Sequence, residues 1–542
     1  MRPRLLLDAC LSLGEPRILV VGDLAVNCEV HGQPYRAHPA SPVILFQQTW
    51  ENQIPAAAAG IARTAQAWGA HVTLAGILAT DPLGQQLRES LITDGVDCSP
   101  IIHTPDRLTS VFETFAGGPP QADVAAVKTV PRIDRHWRDI STSSVARMLQ
   151  RLEQLDSSFN LIVMADWQLG GMTDAVRHAV MQFAKRRDIP IATVTSQSET
   201  GTTPTDATAF HLSAGVRADG HAADNDSYDP LAQRVTQRTG QSGGMLCVRT
   251  LANGALVAKE TSLSAARTGR SANKPETSSD ADGDARPADC SAQCRASEPA
   301  SELLETQAAV MAVAWSSQLT AASMLGLAAS AGQLALHDDR NESCPRLVPV
   351  GRDDLLKQLL ATQTQPEDKV LARSQLLLQA RAHRRLGRSV VMTAGCFDLM
   401  HAGHLVSLQA ARQLGDCLVV AVNSDASVRG LTKGPDRPVN SEAHRALMLA
   451  GLSFVDMVTI FDEATPIDLL RELRPDWLAK EGNDNPAEIV GRDLVESYGG
   501  RVAAVGHLPG MSSTEMLQRI LRAAKSEQQS TLEGSVTDRR VA

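Results

Sequence analysis

The chain has 542 residues, 43% of them hydrophobic and 21% charged, and a formal net charge of −9. That length exceeds what one hydrophobic core supports, so two or three domains are expected. The acidic balance, with no basic block, argues against nucleic acid as a partner, and no apolar run is long enough to span a membrane.

Met1 to Cys10 carries two arginines and a short leucine run but no cleavage-site pattern, so no signal peptide is expected. Nine scattered cysteines without metal-ligand spacing suit a reducing cytoplasm. Cys290 and Cys294 form a CxxxC with no second ligand pair to complete a metal site.

Taken in order, Arg17 to Leu24 reads as a buried strand ending in Gly-Asp. Asn52 to Gly69 reads as an alanine-rich helix, His71 to Leu78 as a strand and Asp81 to Asp94 as a helix. Strands at Leu161–Asp166, Ile189–Val194 and Gly244–Arg249, with a helix over Asp174–Arg187, continue the alternation. Such alternation predicts an α/β domain with a mainly parallel sheet over residues 1–340. Between about 260 and 302 large apolar residues nearly vanish, and a disordered insertion is expected there. Leu303 to Leu336 returns to helical sequence. Asp353 to Arg385, closed by Gly387, predicts a helical connector over 341–388.

From 389 to 525 the alternation predicts a second, doubly wound domain of five strands with ligands at the carboxyl ends of its strands. A mobile tail, 526–542, follows. The first strand of this domain runs into Thr393-Ala-Gly-Cys-Phe-Asp-Leu-Met-His-Ala-Gly-His404, just before a helical pattern. A strand, a glycine-bearing turn and a helix start make an anion site, because unpaired N–H groups and the helix dipole point at the ligand. His401 and His404, three apart, can donate to one group.

The frame of Gly395, Phe397, Asp398, His401, Gly403 and His404 resembles the nucleotidyltransferase signature of the cytidylyltransferase family. The resemblance implies a Rossmann-like nucleotidyltransferase domain in which the two histidines contact the triphosphate as pyrophosphate leaves. Thr393 at the strand end belongs to the same implied nucleotide site. Asn423 and Asp425 end a later strand, where they could hold a substrate hydroxyl or a metal-bound phosphate; a plain turn explains them equally well. Lys433, Arg437 and Arg445 offer cations to offset phosphoryl charge. Ser512, Ser513 and Thr514 before the last helix resemble the family's S-[ST]-T phosphate element. Lys480 resembles the lysine of a K-G-G segment, although here Glu481 replaces one glycine.

The order of the parts resembles the bifunctional heptose-7-phosphate kinase/heptose-1-phosphate adenylyltransferase family, with a ribokinase-like domain first. The resemblance implies ADP-sugar formation from ATP and a sugar 1-phosphate, with Mg2+ brought by the nucleotide. A polyol-phosphate cytidylyltransferase using CTP, an enzyme with an active kinase domain and a non-catalytic scaffold remain as alternatives. Against that pattern Asn27 stands where an acidic residue is expected, and Ile54 to Gly60 replaces a Gly-Gly-Ala-Ala-Asn helix start. Leu304-Glu305-Thr306-Gln307 stands where such kinases carry Gly-Ala-Gly-Asp, so a kinase-like domain without kinase activity is expected, retained for architecture or for a homodimer.

Overall fold

The computed structural model describes residues 3–37, 44–117, 133–135, 139–155, 158–196, 209–214, 244–250, 256–262, 301–341, 349–362, 365–431, 437–482, 489–506, 516, 519 and 522. The chain divides into two compact units, Met1–Leu355 and Leu356–Ala542. Among the described residues no helix is long and apolar enough to cross a membrane.

In the first unit the strand Arg17–Gly22 is buried at every residue but Arg17. A strand with both faces covered must be apolar throughout, as Ile-Leu-Val-Val is. It lies between His71–Ala75 and Leu161–Asp166, parallel to both. Across the seven-stranded sheet the order is Leu256–Ser262, Gly244–Thr250, Phe210–Ala214, Ile191–Thr195, Leu161–Asp166, Arg17–Gly22, His71–Ala75. Only the edge pair, Gly244–Thr250 with Leu256–Ser262, is antiparallel. A separate four-stranded sheet joins Leu24–Ala37, Ile44–Ala57, Ser110–Gly117 and Ile133–Arg135.

One expectation changes here. The helix expected over Asn52–Gly69 starts only at Ala58, because Asn52 to Ala57 finishes a strand. Glu51 and Gln53 are exposed while Asn52 and Ile54 are buried, a period of two, and Pro55 would interrupt a helix interior. Of the stretch 260–302, where a disordered insertion is expected, residues 260–262 belong to the edge strand Leu256–Ser262 and residues 301–302 to the helix Ser301–Ser316. Residues 263–300 lie outside the described residues.

The second unit is a six-stranded parallel sheet in the order Val370–Leu371, Met457–Phe461, Cys417–Asn423, Val390–Gly395, Trp477–Glu481, Arg501–Val505. Alternate residues feed opposite faces. Val390 and Met392 join Cys417 and Val419 in one core, and Val391 joins Leu418 and Val420 in the other. Five strands were expected. The sixth, Val370–Leu371, sits within the stretch read as a connector, which is broken into the helices Arg352–Ala361, Pro366–Lys369 and Arg373–Arg385. A two-residue edge strand has no period of its own and forms only through its partner, Val458 and Thr459. The helix expected over Glu488–Tyr498 is limited to Arg492–Ser497, and the terminal helix expected from Thr514 falls largely outside the described residues.

The chain leaves Val390–Gly395 toward one side of this sheet and later returns to its other side, at Trp477–Glu481. That reversal opens a crevice at the carboxyl ends of the two strands, where open α/β sheets take their ligands. Val391, Met392 and Thr393 pair with Trp477, Leu478 and Ala479, so the strand ends Gly395 and Glu481 lie side by side.

Candidate active site

Gly395 ends its strand, and two residues on Phe397, a non-glycine residue, lies in the left-handed region at φ 48°. The ring of Phe397 folds back over Gly395, where an added Cβ would sit 3.1 Å from Phe397 Cε2. The helix Ala402–Arg412 then starts with His401 at its N-cap. The His401 and His404 rings stack with centroids 3.8 Å apart and planes 25° apart, and Phe397 lies 5.3 Å from His404. Gly403 is required between them, because a Cβ there would come within 2.9 Å of His401 Nδ1.

Both histidines are deprived of solvent. Burial lowers the His401 pKa, and it holds His404 down at about 4, with the neighbouring charge of His401 adding to the effect. Both Nδ1 atoms are buried without a hydrogen-bond partner among the described residues, while His404 Nε2 lies 3.8 Å from Glu481 Oε2. The pair therefore presents two buried rings that favour the neutral form at a helix N-terminus.

Asp398, Arg437 and Arg445 lie beside this turn, deeper than the sequence suggests. Asp398 is 2% exposed, and its Oδ1 accepts from the backbone N–H groups of Val439 at 2.7 Å and Asn440 at 3.0 Å. Arg437 Nε sits 3.4 Å from Asp398 Oδ2, and its Nη2 is buried with no partner among the described residues. Arg445 is fully buried. It donates to the Asn440 carbonyl at 3.0 Å, the Cys396 carbonyl at 2.5 Å and Asp425 Oδ1 at 2.8 Å.

The sequence offers Arg445 as a cation near the mouth, and Asp425 for a substrate hydroxyl or a metal-bound phosphate. In the fold Asp425 accepts from Arg445, and its backbone N–H donates to Glu442 at 2.6 Å. A guanidinium's rigid fork can reach three separated acceptors at once, and sequence spacing does not tell that role from phosphate binding.

A cavity of about 340 Å3 opens beside Gly395 and Cys396, with Asn423, Phe461, Lys480 and Ile489 on its wall. Asn423 is buried and donates to Ser427 Oγ at 3.0 Å, with its Oδ1 3.7 Å from Cys396 Sγ. Thr393 is buried in the strand below, paired with Val420 and Ala479. Lys433, Ser512, Ser513 and Thr514 lie outside the described residues.

In the first unit Asp23 follows the central strand, and its carboxylate is filled by backbone donors from Trp167 at 2.9 Å, Leu169 at 3.0 Å and Gly171 at 2.6 Å. Burial raises its pKa. Asp166 pairs with Arg177. Glu305, at the place expected for a glycine-rich anion hole, is 3% exposed and accepts from the Ala57 N–H at 2.6 Å where the Ala58–Ala67 helix begins.

Residues 392–531 match the cytidylyltransferase-like family. The bifunctional protein HldE of Trichlorobacter lovleyi is 30% identical over 514 residues, covering 94% of this chain and 97% of that protein. HldE of Geotalea uraniireducens is 31% identical over 507 residues, covering 93% and 96%. A 155-residue stretch is 52% identical to HldE of Syntrophotalea carbinolica, 29% of this chain and 31% of that protein. Among solved structures, Arabidopsis thaliana ribokinase complexed with ribose and ATP is 13% identical with a TM-score of 0.39, covering 64% of this chain and 99% of that one. An identity of 30% sustained over nearly the whole of both chains places this protein in the bifunctional HldE family.

Proposed function

We propose that the second unit is a nucleotidyltransferase that joins a sugar 1-phosphate, of the heptose 1-phosphate type, to the adenylyl group of ATP. A phosphate oxygen of the sugar attacks the α-phosphorus in line. The bond from that phosphorus to the β-phosphate oxygen breaks, and pyrophosphate leaves. A phosphate oxygen is already a competent nucleophile, so the protein supplies position and charge rather than a base. Magnesium arrives as part of the nucleotide substrate.

The observation that carries this reading is the stacked, dehydrated His401–His404 pair at a helix N-terminus. Donors from the two rings count most as charge develops on the departing pyrophosphate. Arg437, held by Asp398, supplies a buried guanidinium whose Nη2 has no partner among the described residues. Lys480 and Asn423 suit the sugar phosphate in the neighbouring cavity. Lys433 and the run Ser512 to Thr514 complete the proposed phosphate contacts. Pyrophosphate release measured with ATP and with CTP over a panel of sugar and polyol phosphates tests the assignment. Release with CTP and a polyol phosphate, and none with ATP and heptose 1-phosphate, would replace it.

We further propose that the first unit has no sugar-kinase chemistry. Glu305 brings a carboxylate to the start of the Ala58–Ala67 helix, where it takes a backbone donor and repels a transferring phosphoryl group. ADP formation from ATP and heptose 7-phosphate by the full chain would overturn this, because adenylyl transfer yields pyrophosphate and kinase transfer yields ADP.

A further inference from the structure

His404 has two ring nitrogens, and only one is available. Nδ1 is buried without a partner among the described residues, so any anion must be met through Nε2. That atom already faces a carboxylate, Glu481 Oε2 at 3.8 Å, at the end of the strand next to the one that leads into the histidine turn. The contact is not incidental to a loose side chain: Glu481 Oε1 also lies 3.4 Å from where a Cβ on Gly403 would be, so the carboxylate packs over the helix start. Among the described residues, His401 from the same turn and Glu481 from the adjoining strand are the titratable groups set against His404, with the Phe397 ring on the third side.

Resting on the nucleotidyltransferase reading, we propose that Glu481 is a positioning residue for His404: its carboxylate, 3.8 Å from Nε2, holds the ring with that nitrogen turned toward the strand ends, where the arriving triphosphate meets it. Two opposed consequences follow from one charge. A carboxylate beside His404 favours the imidazolium, which strengthens charge stabilisation at the transition state. The same carboxylate stands beside the nitrogen that the triphosphate would meet and repels it, which weakens ground-state nucleotide binding. Glu481 therefore trades nucleotide affinity for turnover. A residue that only held the strand end would not move kcat and KM in the same direction.

The test uses the full chain and the variants Glu481→Gln and Glu481→Asp. In Glu481→Gln the His404 ring signal, assigned with His404→Gln and followed by NMR, should titrate about one pH unit lower than in the wild type. At pH 8 kcat should fall about tenfold and KM for ATP should fall with it. Glu481→Asp, which keeps the charge, should stay close to the wild type in both readouts. Unchanged titration of His404 in Glu481→Gln would overturn the proposal, as would an Asp variant that behaves like the Gln variant. Should the wild type release no pyrophosphate while the His404 titration still moves in Glu481→Gln, the pairing stands and the nucleotidyltransferase reading fails.

Discussion

Arg445 Nη1 donates to the Cys396 carbonyl oxygen at 2.5 Å, so a fully buried cation ties the helix Glu442–Ala450 to the turn that carries the two histidines. Its other donors reach Asn440 and Asp425, which makes Arg445 a frame for the site. Replacement by methionine leaves Asp425 partly buried without its cation. A loss of about 3–5 kcal/mol is expected in the unfolding of the second unit. Calorimetry of the full chain, with the nucleotide-sensitive transition assigned to that unit, measures it. Arg445→Lys should recover only part, since one ammonium cannot span three acceptors.

His404→Ala should lower kcat by about 100-fold or more with a much smaller change in KM, because the ring acts most on charge that develops as pyrophosphate leaves. Steady-state pyrophosphate release gives both constants. Equal turnover in the variant would remove His404 from the chemistry.

Gly403→Ala adds a methyl group 2.9 Å from His401 Nδ1 and 3.0 Å from its Cε1. Alanine suits a helix better than glycine, so global stability should hold while the His401 ring is displaced. Turnover about tenfold lower or worse is expected, with an unfolding temperature within a few degrees of the wild type. A fully active variant would show that the stacked geometry is dispensable.

The His404 pKa is about 4 in the folded chain, against an ordinary value of about 6.5 in an unfolded one. The folded state thus prefers the neutral ring, and the unfolded state takes up protons first as pH falls. Stability is present above about pH 6.5 and is lost as pH falls from there toward 4, by up to about 3 kcal/mol for this one group. His383, likewise buried and held at about 4, loses stability over the same window. Denaturant titrations at pH 7 and pH 5 should show the decline, with a shallower slope in His404→Gln.

In the first unit a Cβ on Gly60 would overlap the Glu305 carboxylate and press against the Pro55 carbonyl at 3.0 Å. Gly60→Ala should therefore destabilise that unit by about 1–3 kcal/mol despite its helical setting. Thermal unfolding of the full chain checks it, and a stabilised variant would show that the Glu305 contact is absent in solution.

Much was legible in the residues themselves. The apolar runs within Arg17–Gly22 and Cys417–Asn423 read as strands covered on both faces, and their spacing to helical stretches makes two α/β units. The turn from Gly395 to His404 was legible because a phosphate site of this kind is local: its glycines, histidines and helix start lie within ten residues. Leu256–Ser262 and Val370–Leu371 were not legible, since each is a strand only by virtue of a partner's register.

By itself, then, the sequence determined the two-unit α/β plan and the place of the histidine turn, because periodicity and short-range motifs follow from a few consecutive residues. Tertiary structure alone decided that Arg445 faces inward, that Asp398 holds the segment after Arg437, and that Glu481 comes to rest beside His404. Those relationships join residues 40 to 80 positions apart through sheet order and register, and no local pattern encodes which strand ends will become neighbours.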